Sequence, residues 1–340
     1  MSLLLAPINA AYAFYASESD DLSQEALGLF LTGVGSIDAV NTNFLSTRLM
    51  YDVDFNNWHL EYQQIWQQTH SKNNNTDQTQ ADRLNISFNN EQFYLKVGRQ
   101  AVSLATTFYF SPNDFFAPFT IQSLNRDFKQ GVDAIYSELQ LGRFAGELST
   151  LSLILVNNQD ENLNTSSILR FESTLDNISW MMFMGELNQT AFSSQQVFGC
   201  SLQADLLDNL GIRAEGHRSK QAGQDTSEWV FGLEQRLNAD TTWSAEWFYH
   251  GAAAITPHLP YAGKQYLALG LNYQFTPLLL ANFSIVRNMD DQSQLNTAYI
   301  NYSLSDESTV NLSVLLPNGK NTAEFGLYPK VYALDFQIYF

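Results

Sequence analysis

The sequence predicts an all-β chain closed as a transmembrane antiparallel barrel of about 18 strands, with about 16 as the alternative count. Three observations carry that expectation. Period-two alternation of apolar and polar residues starts near Leu27 and continues to the C-terminus. Tight turns and longer polar connections succeed one another in strict alternation, the pattern of barrels with short periplasmic turns and longer extracellular loops. Aromatic residues make up 14% of a chain whose mean hydropathy is only −0.20. Alternate strand residues can therefore meet lipid, although no stretch is apolar enough for a membrane helix.

The totals narrow the class. A soluble chain of 340 residues would ordinarily split into about two or three domains, yet no linker or shift in composition marks a boundary. One domain over 14–340 is expected. Lys+Arg number 17 against Asp+Glu 35, a net charge of −18 that argues against nucleic acid as a partner. Cys200 stands alone, so an intramolecular disulfide framework and a multi-cysteine metal site are excluded. Residues 1–13 hold an apolar run (Leu3, Leu4, Leu5, Ala6) and then Ala11-Tyr12-Ala13, an A-x-A cleavage pattern. They are expected to be a signal-peptide remnant. The missing basic n-region points to a true start upstream.

Leu27–Asp38 is the first expected strand. In Asn43–Phe55, Leu45, Thr47, Leu49, Tyr51, Val53 and Phe55 form one face, and Ser46, Arg48, Asp52 and Asp54 the other. Asn56-Asn57 turns the chain, since Asn tolerates left-handed conformations. Trp58, Leu60 and Tyr62 then oppose His59, Glu61 and Gln63, and a slip at Gln63-Gln64 predicts a bulge in that strand. Leu84, Ile86 and Phe88 oppose Arg83, Asn85 and Ser87 before a turn at Asn89-Asn90. Trp229–Leu237, Trp243–Tyr249, Leu267–Phe275 and Ala298–Leu304 alternate as cleanly, whereas Leu148–Val156 and Trp180–Leu187 are apolar on both faces.

Further tight turns are read at 141–143, 176–177, 208–209, 238–240, 276–277 and 305–307. Longer connections are read at 71–80, 157–162, 188–194, 220–225, 252–264, 289–292 and 317–322. Tyr51, Phe55, Trp58, Phe88, Phe93, Trp180, Trp243 and Phe275 fall near strand ends, where amphipathic rings suit the headgroup layer or pair across strands.

One connection, 103–129, is far longer than the others and carries Phe108, Tyr109, Phe110, Phe115, Phe116 and Phe119. Those rings want burial, so the loop is expected to fold into the barrel and narrow it. Asp114, Arg126, Asp127 and Lys129 are its candidate constriction residues; anchoring to the wall by salt bridges is the other role open to them. On the wet side of the strands lie Arg48, Asp52, Arg83, Lys96 and Arg99, then Arg170, Glu172, Arg213 and Glu215, then Glu234, Arg236 and Glu246. Mixed charge of this kind can set up a transverse field that orients hydrated solutes, or neutralise itself as a rigid ladder. Both readings stand at this point.

Two resemblances follow. Tyr332, Phe336, Ile338 and Phe340 alternate to a terminal phenyl ring, which resembles the signal that the barrel-assembly machinery of Gram-negative outer membranes reads. Val97-Gly98-Arg99-Gln100, Ser111-Pro112-Asn113-Asp114-Phe115-Phe116 and Gly131-Val132-Asp133-Ala134 resemble the "GRQ … P-x-D … G-V-D" arrangement of alginate-export and related porin-like proteins. That likeness covers about a tenth of the chain. It implies a pore with an inward-folded loop, set in outer-membrane lipid and lipopolysaccharide, with the substrate left open. The expected function is passive diffusion of small hydrophilic solutes, with a homo-oligomer as a possible assembly. The alternative is a scaffold barrel sheathing a partner in polymer export or electron transfer. A barrel enzyme comes third, because the five histidines are scattered and no metal, phosphate-loop or nucleophile motif occurs. No cofactor and no metal are expected.

Overall fold

In the computed structural model, residues 25–36, 42–71, 75–119, 129–157, 165–188, 194–256 and 258–339 are described. The expected leader, 1–13, and Phe340 lie outside them. Among the described residues, eighteen strands run in chain order, each antiparallel to the next. The first, β1 (Glu25–Ser36), pairs with both β2 (Thr42–Phe55) and β18 (Val331–Tyr339). Leu31 lies opposite Thr47 on one side and Ile338 on the other. The sheet therefore closes on itself as a barrel and leaves no edge strand.

Parity decides which residues face out. In β18, Tyr332 and Leu334 are exposed while Ala333, Asp335 and Gln337 are buried. The same division runs through β3 (Trp58–Ser71) and β4 (Asn75–Asn89), where Trp58, Leu60, Leu84 and Ile86 are exposed and Arg83, Asn85 and Ser87 are not. An apolar outer surface of this kind suits lipid, and polar inner residues suit water. Trp58 and Phe88 meet across strands near the turn at Asn56-Asn57, ring centroids 5.0 Å apart.

All eight tight turns fall where alternation put them. Two longer connections do not. β3 runs to Ser71 and β4 starts at Asn75, so most of 71–80 is strand. Likewise β11 (Leu210–Gln221) and β12 (Gln224–Asn238) leave only Ala222-Gly223 between them. At these ends both faces carry polar residues, such as Arg218, Ser219 and Lys220, so the alternation by which a strand is read is lost. The connection read at 317–322 is longer than expected and contains a helical turn, Phe325–Leu327.

The bulge also moves. Gln63 lies opposite Arg83 and Gln64 opposite Ala81, so the extra residue is Asp82 of β4 and β3 is regular. The strands apolar on both faces, β7 (Leu148–Val156) and β9 (Ile178–Leu187), have a physical reason. Leu153, Met182 and Met184 face out, while Ile154, Val156, Met181 and Phe183 pack inward against Phe115 and Phe116.

Candidate functional site

Residues 101–131 join β5 (Phe93–Gln100) to β6 (Val132–Gly142), and their described part folds into the barrel. Two apolar clusters hold it there. Val102, Leu104, Phe115 and Phe116 pack on the inner faces of β7 and β9. Farther round the wall, Phe110 stacks on Phe248 of β13 (Thr241–His250), centroids 5.0 Å apart, with Tyr261 at 5.4 Å.

The backbone of this loop has no ladder to satisfy its N–H groups, and buried N–H groups need acceptors. Two wall carboxylates supply them. Glu215 of β11 accepts from the amides of Thr106, Thr107 and Asn113, and from Thr106 Oγ1 at 2.8 Å. Glu246 of β13 accepts from the amides of Phe108 at 2.6 Å, Tyr109 at 2.9 Å and Phe110 at 3.2 Å. A carboxylate is acceptor-only with several lone pairs, so one side chain can serve three donors. Both are 1% exposed. Beside them Arg213 donates to Thr106 O at 3.0 Å, and its guanidinium lies 4.1 Å from the centre of the Phe108 ring.

The loop's return end is tied to β4. Gly131 N–H donates to Asp82 Oδ1 at 3.0 Å, and Arg83 donates to Lys129 O. Asp82 is itself held by Arg48 at 2.5 Å and Arg83 at 3.0 Å. A Cβ on Gly131 would sit 2.0 Å from the carbonyl oxygen of Asp82, so glycine alone allows this approach. Within the loop Asp114 pairs with Lys129. Burial pushes the Asp114 carboxyl up and the Lys129 amine down, each partly offset by the other.

These contacts explain the three short motifs. Gly98 has φ +118, a conformation L side chains rarely adopt, and Gln100 Nε2 donates to Ala134 O at 3.0 Å. Asn113 is buried, bonding Cys200 O at 3.2 Å and meeting His217 Nδ1 at 3.3 Å. The motif residues secure the ends and the apex of the loop.

The residues singled out from sequence fall into groups. Asp114 and Lys129 are brought together; Arg126 and Asp127 lie outside the described residues. Arg48, Arg83 and Lys96 join one inward network with Asp82 and Glu61, Lys96 Nζ lying 2.9 Å from Glu61. Asp52 sits opposite Glu61 on the same face. Arg170 lies 3.4 Å from Glu138 and 3.5 Å from Glu172. Glu234 and Arg236 share the inner face of β12 with Gly232, which lies opposite Glu246. Glu215 and Glu246 are covered by the loop rather than open to a lumen. Arg99 follows Gly98, whose φ of +118 interrupts the alternation of β5; it lies opposite Asp133, 3.9 Å from its carboxylate, and a Cβ on Gly131 would meet both its Cγ and Arg83 Nη1. Elsewhere on the inner wall amides pair: Asn272 meets Asn282, and Asn301 meets Asn311 at 2.5 Å, with buried Asp335 opposite Asn311 in the register.

Asp82 escaped the sequence reading because a bulge adds it out of phase. Its signal was present as the slip assigned to the wrong strand.

No family model matches the chain, and no curated protein matches it. Solved structures do. Pseudomonas aeruginosa OccK5 (OpdH) is 10% identical, with a TM-score of 0.61 over 94% of this chain and 97% of that one. Pseudomonas aeruginosa OprD is 11% identical, with a TM-score of 0.60 over 93% of this chain and 94% of that one. A Rhodopseudomonas blastica porin mutant is 10% identical, with a TM-score of 0.54 over 94% of this chain and all of the other. At such identity the likeness is one of fold, a porin-like β-barrel.

Proposed function

We propose that the chain is a Gram-negative outer-membrane channel through which small hydrophilic solutes diffuse passively, narrowed by the 101–131 loop. The observation that carries this reading is the capture of the loop backbone by Glu215 and Glu246, which fixes the loop inside the barrel. An apolar outer surface and fold neighbours that are porins support the same placement. The charged network around Asp82 and the amide pairs at Asn272 and Asn301 line different parts of the interior, suited to orienting a hydrated solute. Kinship with alginate-export proteins rests on the three loop motifs. Barrel-assembly machinery, lipopolysaccharide and further copies of the chain are the proposed partners, residues 1–13 the proposed leader remnant, and the role is non-enzymatic.

A scaffold barrel is the second reading, favoured by the complete burial of Phe110 and the near-complete burial of Phe115, as in a plug. Single-channel conductance of the refolded protein, beside a variant lacking Thr106–Gln122, separates the two. Steady conductance that rises on deletion supports the channel. Conductance only in the deletion variant supports the scaffold. Silence in both, with a folded barrel shown by heat-modifiable gel mobility, overturns the channel.

A further inference from the structure

At the long-loop mouth of the barrel, the inward loop meets the connection 251–264 around a cavity of about 270 Å³. Phe108, Tyr109, Pro118, Phe119, Pro260 and Tyr261 are among the residues that line it, beside polar groups. His258 borders it, 4% exposed, with both ring nitrogens buried and lacking a hydrogen-bond partner. A buried polar group without a partner is costly and calls for an explanation. A half-turn of the ring exchanges its nitrogen and carbon positions, a choice fixed by hydrogen bonding when a partner is present. Turned so, the imidazole can present a ring nitrogen toward the cavity it borders.

The charge of the site limits what it takes. Asp114 and Lys129, also on the lining, neutralise each other. Burial holds His258 uncharged, its pKa pulled down to about 4. A solute with net charge would find no counter-charge among the described lining residues. The hydroxyls of Ser103, Thr107 and Ser111 add small polar contacts. The volume lies just under the roughly 300–1,000 Å³ of drug-sized pockets, enough for one six-membered ring and not for a chain of them.

We propose that this cavity binds one small neutral polyhydroxylated ring, a single sugar residue in size and chemistry, as it enters the barrel. A ring nitrogen of His258 matches a hydroxyl, and the aromatic and proline side chains of the lining match the C–H groups of such a ring. This deepens the channel reading and rests on it for the direction of travel alone.

Equilibrium dialysis of radiolabelled D-glucose against the detergent-solubilised full chain tests it. Saturable binding in the millimolar range is expected. His258→Ala and Phe119→Ala should each weaken it about tenfold or more, with heat-modifiable mobility kept. His258→Gln, which retains a donor and an acceptor, should stay within about threefold of the parent. Absence of saturable binding, indifference to Phe119→Ala or His258→Ala, or tighter binding of L-arginine or benzoate than of glucose overturns the proposal. If His258→Ala does not fold, His258→Gln and Phe119→Ala decide. Dialysis needs no conductance, so a silent bilayer would overturn the channel and leave this site standing.

Discussion

The Glu246 carboxylate accepts the backbone N–H of Phe108 at 2.6 Å, across a sequence separation of 138 residues. It draws an irregular segment against the far wall of the barrel, and Glu215 repeats the arrangement one hairpin earlier. Polar capture by two strands, rather than aromatic packing alone, sets where the loop lies.

Replacing Glu246 with Gln should loosen the loop. The amide keeps one oxygen acceptor but turns an NH₂ toward buried donors, and charge-assisted bonds to the backbone are lost. The expected cost is about 2–3 kcal/mol, and a Glu215→Gln/Glu246→Gln double variant should release the segment. Limited proteolysis between Ala105 and Phe119 reads the release. In a bilayer the same variant should show noisier and larger conductance.

Gly131→Ala places a Cβ where the Asp82 carbonyl already sits, 2.0 Å away. Backbone must move on one side of the contact, at about 1–3 kcal/mol. Loss of heat-modifiable mobility at a lower temperature than the parent is the expected outcome. Gly211→Ala is the control, since the nearest atom to its added carbon lies 3.4 Å away, an ordinary contact.

Acid should weaken the 251–264 connection. Burial, and secondarily the neighbouring His250, pull the His258 pKa from 6.5 to about 4. The folded site holds the ring neutral, whereas a released ring takes up a proton near pH 6.5. Stability from this group is therefore complete above about pH 6.5 and is lost as pH falls toward 4, up to about 3 kcal/mol. Proteolysis of 251–264 at pH 7.5 and 4.5 should show the change, and His258→Phe should abolish it.

Ala222 sits in a two-residue turn at φ +50, followed by Gly223 at +83. An L side chain there costs about 1–2 kcal/mol. Ala222→Gly or Ala222→Asn should raise the unfolding midpoint, measured by the temperature at which gel mobility shifts.

The strands were legible because one face meets lipid and the other water, which writes a period of two into β2 and β18. Legibility failed where that contrast vanished. The ends of β3 and β11 carry polar residues on both faces, and β7 carries apolar residues on both faces. At the site, Phe110 and Phe115 announced burial, whereas Asp114 and Lys129, read as constriction or wall-anchoring residues, pair with each other within the loop. The anchors were not announced. Glu215 and Glu246 read as ordinary inner carboxylates because their partners are backbone amides, which carry no residue identity.

The pairing of β1 with β18 has a consequence for how the chain is made. Every other neighbouring pair is a local hairpin or joined by one loop, and can form from residues close in the chain. The seam between Leu31 and Ile338 joins opposite ends of the described fold, so its closure carries the largest entropic cost of any contact. Hairpins assemble first and the seam last. Until it zips, β1 and β18 each present a row of open backbone groups, and the nascent protein is an adhesive sheet rather than a vessel.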